Sequence, residues 1–286
     1  RRFEYPPVRE TPRALPPEAG DTSFMNPKLM GIVNVTPDSF SDGGLFLDAD
    51  AAVAHGEELV RDGAEILDVG GESTRPGADE VSAEEEVARV EPVVAGLAGV
   101  ATVSIDTSKL AVAETALNAG ASIVNDVTAL RRDPGIGGLC ADRDAGLVLM
   151  HMQGDPRTMQ ASPAYDDVVD DVKAFLVERL AAALDAGVAE ERVWLDPGIG
   201  FGKTLEHNLE LLRRLGELRE LGRPLVVGTS RKSFIGKIDG SDVGDRLGGT
   251  LASSVLAAAE GAEVLRVHDV AEAAQALRIS KAVISE

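Results

Sequence analysis

From Leu29 onward, short apolar runs alternate with longer segments of helical period, and turn residues bound each run. Eight runs read as strands: residues 30–35, 66–69, 102–105, 122–127, 147–150, 193–195, 225–227 and 264–267. Their near-continuous apolar character is that of strands covered on both faces. Helical patterns fill the intervals. One lies near residues 48–62. Ser82 with Glu85 predicts a capping box ahead of a helix over 84–97. Over 166–186, Val168, Val169, Val172, Phe175, Leu176, Leu180 and Leu184 form one stripe. Leu211, Leu212, Leu215 and Leu218 predict another helix, and segments 251–259 and 270–284 close the series. Eight such units predict an α/β fold, a (β/α)8 TIM barrel. No GxGxxG follows the first strand, which weakens the case for a dinucleotide-binding open sheet. Residues 1–28 hold six prolines from Pro6 to Pro27 and no apolar period, so an extended or partly disordered N-terminal arm precedes the barrel domain of 29–286.

Charge narrows the partners. Lys and Arg number 28 against 48 Asp and Glu, a net charge of −20. Nucleic acid is a poor partner for such a surface, because its recognition depends on basic groups. The acid excess reads as a solvated surface. An anionic substrate would then require positive charge concentrated within a pocket. Cys140 is the sole cysteine, so no intramolecular disulfide forms, which suits a reducing compartment. No apolar run reaches the roughly 18 residues that span a bilayer, and no signal core precedes the barrel, so a cytoplasmic protein without a membrane partner is expected.

In a barrel of this kind the site lies at the C-terminal ends of the strands. Those ends are chemically selective here. The first strand ends at Asn34, which offers a neutral oxygen to a hard cation. The second runs into Gly70-Gly71-Glu72-Ser73-Thr74-Arg75-Pro76. The others end at Asp106-Thr107, Asn125-Asp126, His151, Asp196-Pro197, Thr229 to Ser233, and Arg266-Val267-His268-Asp269. Asp106, Asn125 and Asp196 are acceptors suited to the N–H edge of a heterocycle. Arg266, His268, Asn34 and Thr74 suit an anion and its metal. Lys232 and Ser233 open a helix whose backbone N–H groups favour a phosphate or carboxylate. Asp126 and Asp269 read equally as helix caps, and His151 as a satisfied core histidine. The Gly-rich stretches 70–77 and 198–203 either wrap a ligand or simply turn tightly. HExxH, CxxC, GxSxG and Walker A patterns are absent, which leaves little support for a zinc or serine hydrolase.

NVTPDSFSDGG at 34–44 and GAEILDVGGESTRPGA at 63–78 resemble the two signature stretches of the dihydropteroate synthase family. The likeness continues through SIDTSK, IVNDV, LMHMQG, LDPGIGFGK, GTSRKSFIG and RVHDV, in order, over about residues 29–286. The resemblance implies a dimeric (β/α)8 barrel that joins p-aminobenzoate to 6-hydroxymethyl-7,8-dihydropterin diphosphate with Mg²⁺, giving 7,8-dihydropteroate and diphosphate. This is a step of folate biosynthesis and a sulfonamide target. It implies a pterin site at Asp106, Asn125, Asp196 and Lys232. It implies diphosphate binding at Asn34, Thr74, Arg266 and His268, with Asn34 also near the metal. Asp42 and Arg75 match loop residues that close over the substrate. Phe40, Pro76, Phe201, Lys232 and Ser233 match the aminobenzoate pocket. Two other readings are a pterin-binding methyltransferase domain, which needs no anion site, and a non-catalytic pterin-binding paralogue, which would lack Asn34, Arg75 or Lys232.

Overall fold

A computed structural model describes residues 26–36, 49–73, 80–155 and 158–284. All eight expected strands form: β1 (Lys28–Asn34), β2 (Ile66–Gly70), β3 (Thr102–Asp106), β4 (Ile123–Asp126), β5 (Gly146–Met150), β6 (Val193–Asp196), β7 (Val226–Val227) and β8 (Val264–Val267). They pair in parallel in the order β6-β5-β4-β3-β2-β1-β8-β7. A single parallel bridge between Leu195 and Leu225 brings β6 to β7 and closes the barrel. Most of the expected arm, residues 1–25, lies outside the described residues.

Register decides which side chains fill the barrel. Met30 pairs with Ile66 and Ile32 with Asp68. Asp68 pairs with Ser104, Asp106 with Asn125, and Met150 with Asp196. Paired residues share a face, so these side chains all turn inward. At the foot of the barrel the inward positions are apolar: Met30, Ile66, Ile123, Val148, Val226 and Val264, with Trp194 against them. Two residues further along, four strands turn polar, at Asp68, Asn125, Asp196 and Arg266. The outward positions form the larger core, including Leu67, Val69, Ile105, Val124, Leu147, Leu149 and Leu265, and pack beneath the helices.

Nine helices occur among the described residues: α1 (Ala49–Asp62), α2 (Ala83–Leu97), α3 (Leu110–Ala119), α4 (Gly135–Asp142), α5 (Val168–Asp185), α6 (Leu205–Arg213), α7 (Ser233–Asp239), α8 (Leu247–Ala259) and α9 (Val270–Ile284). None is long and apolar enough to cross a membrane. Three local expectations need correction. Leu184 lies outside the buried stripe of α5 at 39% exposure, and Ala183 takes the inward position. The capping box at Ser82 is half made: Ser82 Oγ accepts from Glu85 N, but the Glu85 carboxylate turns to Arg89 instead. A complete box forms at Thr204 and His207, where an imidazole replaces the usual carboxylate. The helix expected through Leu218 breaks after Arg213, and residues 215–221 continue as a 3-10 segment.

Candidate active site

Above the apolar foot, the barrel interior holds an ionic network that joins four strands. Arg266 on β8 donates from Nε to Asp68 Oδ2 at 2.6 Å and from Nη2 to Asp106 Oδ2 at 2.8 Å. Asn125 on β4 donates from Nδ2 to the same Asp68 oxygen at 3.0 Å. The second oxygens, Asp68 Oδ1 and Asp106 Oδ1, are buried with no protein partner. An acceptor without a donor in such a place is costly unless something else supplies one. Burial pushes the Asp106 carboxyl up to about 7; Arg266 opposes this, while Asp68, Glu86 and Asp126 add to it. Burial works against the Arg266 guanidinium, but Asp68 and Asp106 hold it above its usual range.

The second half of the site is built by the loop after β6. Asp196 Oδ1 accepts from Gly198 N at 2.6 Å, and burial raises its carboxyl above the usual range. Lys232, just ahead of α7, donates from Nζ to Ile199 O at 2.6 Å and sits 3.9 Å from the centre of the Phe201 ring. Burial brings Lys232 down to about 7, against the pull of Asp196. The resting site therefore places a weakened cation on an aromatic face beside two reluctant carboxylates. α7 has only seven residues, so its dipole adds little beyond the first turn, where Ser233 is exposed.

The glycine-rich stretch 198–203 does wrap something, but it is the chain's own Lys203. This side chain is 1% exposed, and its Nζ meets Gly198 O at 2.9 Å, Phe201 O at 3.0 Å and His151 Nδ1 at 2.9 Å. Three acceptors match the three donors of an ammonium, although burial pushes the Lys203 pKa well down. From outside the turn, Gln160 donates to Gly200 O and Tyr165 to Gly202 O, each at 2.6 Å. Gly198 has φ +67°, and a Cβ there would meet His151 O at 1.9 Å, so only glycine fits. His151 is the satisfied core histidine: burial first, then Lys203 and Arg131, take its pKa to about 2, and Phe175 packs edge-on at 4.8 Å.

The remaining expected residues fall into three groups. Asn34 ends β1 in register with Gly70, whose other neighbour is Asp106, and His268 Nδ1 meets Ser230 Oγ at 2.9 Å. Asp126 is structural, its two oxygens accepting from Thr128 N and Leu130 N. Asp269 makes no cap; it grips Arg231 through Nε at 3.1 Å and Nη2 at 2.5 Å. Phe40, Asp42, Thr74, Arg75 and Pro76 lie outside the described residues. At the flanks of the second signature stretch, Glu72 accepts from Val81 N at 3.1 Å and Lys109 Nζ at 2.7 Å. Sequence reading missed Asp68 and Lys203. A carboxylate inside the apolar run ILDVG was the available signal for the first, and a lysine closing a glycine-rich turn for the second.

Comparisons place this geometry among known proteins. Residues 30–268 match the family model described as pterin binding enzyme. A dihydropteroate synthase of Neisseria meningitidis serogroup C is 51% identical over 262 residues, 90% of this chain and 93% of the relative. A Xanthomonas albilineans dihydropteroate synthase with 4-aminobenzoic acid superposes with a TM-score of 0.85 at 49% identity, covering 91% of this chain and 94% of that one. A Yersinia pestis dihydropteroate synthase in a sulfonamide drug complex gives 0.86 at 45% identity, covering 91% and 95%. The chain belongs to the pterin-binding enzyme family, among the dihydropteroate synthases.

Proposed function

We propose that this chain joins p-aminobenzoate to 6-hydroxymethyl-7,8-dihydropterin diphosphate, releasing 7,8-dihydropteroate and diphosphate. The carrying observation is the ring of inward acceptors Asp106, Asn125 and Asp196, facing Lys232 and Arg266 above an apolar floor. Pterin N–H groups would supply the donors that Asp106 Oδ1 lacks. Loss of diphosphate leaves positive charge at the pterin methylene. Asp106, fixed nearby and poor in partners, stabilises that charge as it develops. Arg266 and His268 face the departing anion, with Thr74 assigned to the same group. Lys232 moves from its contact with Ile199 O to the ligand and, with Phe201, Phe40, Pro76 and Ser233, forms the arylamine pocket. Asp42 and Arg75 close over both substrates and exclude water, which would otherwise capture the cation. The arylamine is a neutral NH2 group at neutral pH with its lone pair free to attack, and the proton it sheds once the C–N bond has formed is acidic enough to leave to solvent or diphosphate, so no strong general base is required.

Mg²⁺ fits the donor chemistry at the mouth. The ion takes few protein ligands and keeps substrate phosphates and waters, so the neutral amide oxygen of Asn34 at the end of β1 suits it. When bound it neutralises charge on the diphosphate. We further read residues 29–286 as one barrel unit preceded by an arm over 1–28, and the assembly as a homodimer in the cytoplasm. Leu256 at 62% and Val283 at 79% exposure leave apolar surface on α8 and α9 that a second copy would cover. The decisive assay follows diphosphate release and dihydropteroate formation with Mg²⁺, with and without p-aminobenzoate. Matched release and product support the synthase reading. Pterin binding without release would favour a non-catalytic paralogue, and methyl transfer a methyltransferase domain.

A further inference from the structure

We propose that Asp68 is a positioning residue of the transfer reaction, a single carboxylate oxygen on β2 that locks Arg266 to Asn125 across the barrel. The inference rests on the reading above, in which those two residues meet the leaving anion and the heterocycle. Its basis is geometric. Asp68 is fully buried, and in register beside it on β1 stands Ile32, which fills the same layer without a charge. Space-filling therefore does not require a carboxylate here, and a carboxylate withdrawn from water is among the most expensive groups to bury. Its Oδ2 takes both donors, while its Oδ1 has none. What this arrangement achieves is orientation. With Nε held at 2.6 Å, the guanidinium plane of Arg266 is fixed so that Nη2 reaches Asp106. A guanidinium tied to Asp106 alone would keep the freedom of a long side chain. The same oxygen fixes the plane and sense of the Asn125 amide, because one amide N–H is committed to it. Two ligand-facing groups on strands far apart in the barrel order thus share one reference atom. In metal sites, removing a group that orients a ligating residue costs about 10–100-fold although it touches no substrate, and a loss of that order is expected here.

The test compares wild type, Asp68→Ala, Asp68→Asn, Arg266→Lys and the Asp68→Ala/Arg266→Lys pair. Asp68→Ala should unfold cooperatively, keep the arylamine KM within about twofold, and lose about 10–100-fold in kcat/KM for the pterin diphosphate. Asp68→Asn should recover part of the loss, since its amide oxygen still accepts from Arg266 while the charge is gone. With Arg266→Lys already present, Asp68→Ala should cost several-fold less than it does in the wild type, because one of the two groups it positions has been replaced while Asn125 remains. The acid limb of the pH profile should also move down in Asp68→Asn. Asp106 is faced by Asp68 from β2, Arg266 from β8, Glu86 from α2, Asp126 from β4 and Lys232 ahead of α7, and only the first of these charges is removed. An undiminished effect in the Arg266→Lys background would overturn the inference, as would a parallel rise in both KM values. If the wild type released no diphosphate, the synthase reading alone would fail. Calorimetry with inorganic diphosphate would then decide the role of Asp68: weaker binding by Asp68→Ala supports it, and unchanged binding overturns it.

Discussion

Replacing Lys203 with methionine isolates the cation around which the loop after β6 is wound. Methionine keeps an unbranched stem of similar bulk, so packing changes little. Three acceptors lose their donor: Gly198 O, Phe201 O and His151 Nδ1. Each buried, unsatisfied acceptor costs about 1–3 kcal/mol. Against that, the variant no longer buries an ammonium, which recovers several kcal/mol of desolvation. The balance should be a loss of about 3 kcal/mol, or a melting temperature lower by about 6–12 °C for a chain of this size. The damage should be graded by place. Phe201 O and Ile199 O are on the same turn, and the second holds Lys232. The arylamine KM should therefore rise at a temperature where the variant is still folded. Calorimetric melting and steady-state kinetics at 20 °C below the variant's midpoint would measure the two effects separately. A variant that melts with the wild type, or above it, and keeps its arylamine KM would refute the claim that Lys203 organises the turn.

Four further outcomes are expected. Asp106→Asn should lower kcat by about 10²–10³-fold in the diphosphate-release assay, by loss of charge opposite the developing cation; a loss under tenfold would remove Asp106 from that role. Stability should dip near neutrality. Asp106, at 3.8 when unperturbed and about 7 here, keeps a proton that the unfolded chain has released, so its contribution falls as pH rises across that window; Lys232, at about 7 against 10.5, contributes increasingly above it. Urea unfolding from pH 4 to 10 should show the acid-side fall vanish in Asp106→Asn. Sulfonamides should compete with p-aminobenzoate, and turnover undiminished by saturating drug at low aminobenzoate would refute the assigned pocket. Finally, with a net charge of −20, raising NaCl from 20 to about 200 mM should raise the melting temperature by screening self-repulsion, and a fall would mean that the surface ion pairs dominate.

The eight strands were legible because each is covered on both faces and so runs nearly continuously apolar. α3 and α4 were not, because their sequences hide the period: α3 is rich in alanine, and α4 carries Gly135, Gly137 and Gly138 within eight residues. Of the site, Asp106, Asn125, Asp196, Lys232 and Arg266 stood where strands run out, which is where polar residues attract notice. Asp68 escaped because it lies one layer deeper, between Leu67 and Val69, where only register reveals its neighbours across the barrel. Lys203 escaped for a different reason. A lysine closing a glycine-rich turn is a faint signal, and only the carbonyls that surround Lys203 tell it from a solvated one. Phe40, Asp42, Arg75 and Pro76, which lie outside the described residues, rest on the family resemblance alone.

The apolar floor of Met30, Ile66, Ile123, Val148, Val226 and Val264 makes the barrel a vessel with one mouth. Traffic through a vessel queues. A molecule destined for the depth of Asn125 must arrive before one that stops beside Phe201 and Ser233, and it cannot pass the other on the way out. With the two substrates seated as proposed, ordered kinetics should follow: pterin first, arylamine second, and the joined product last through the opening by which both parts came.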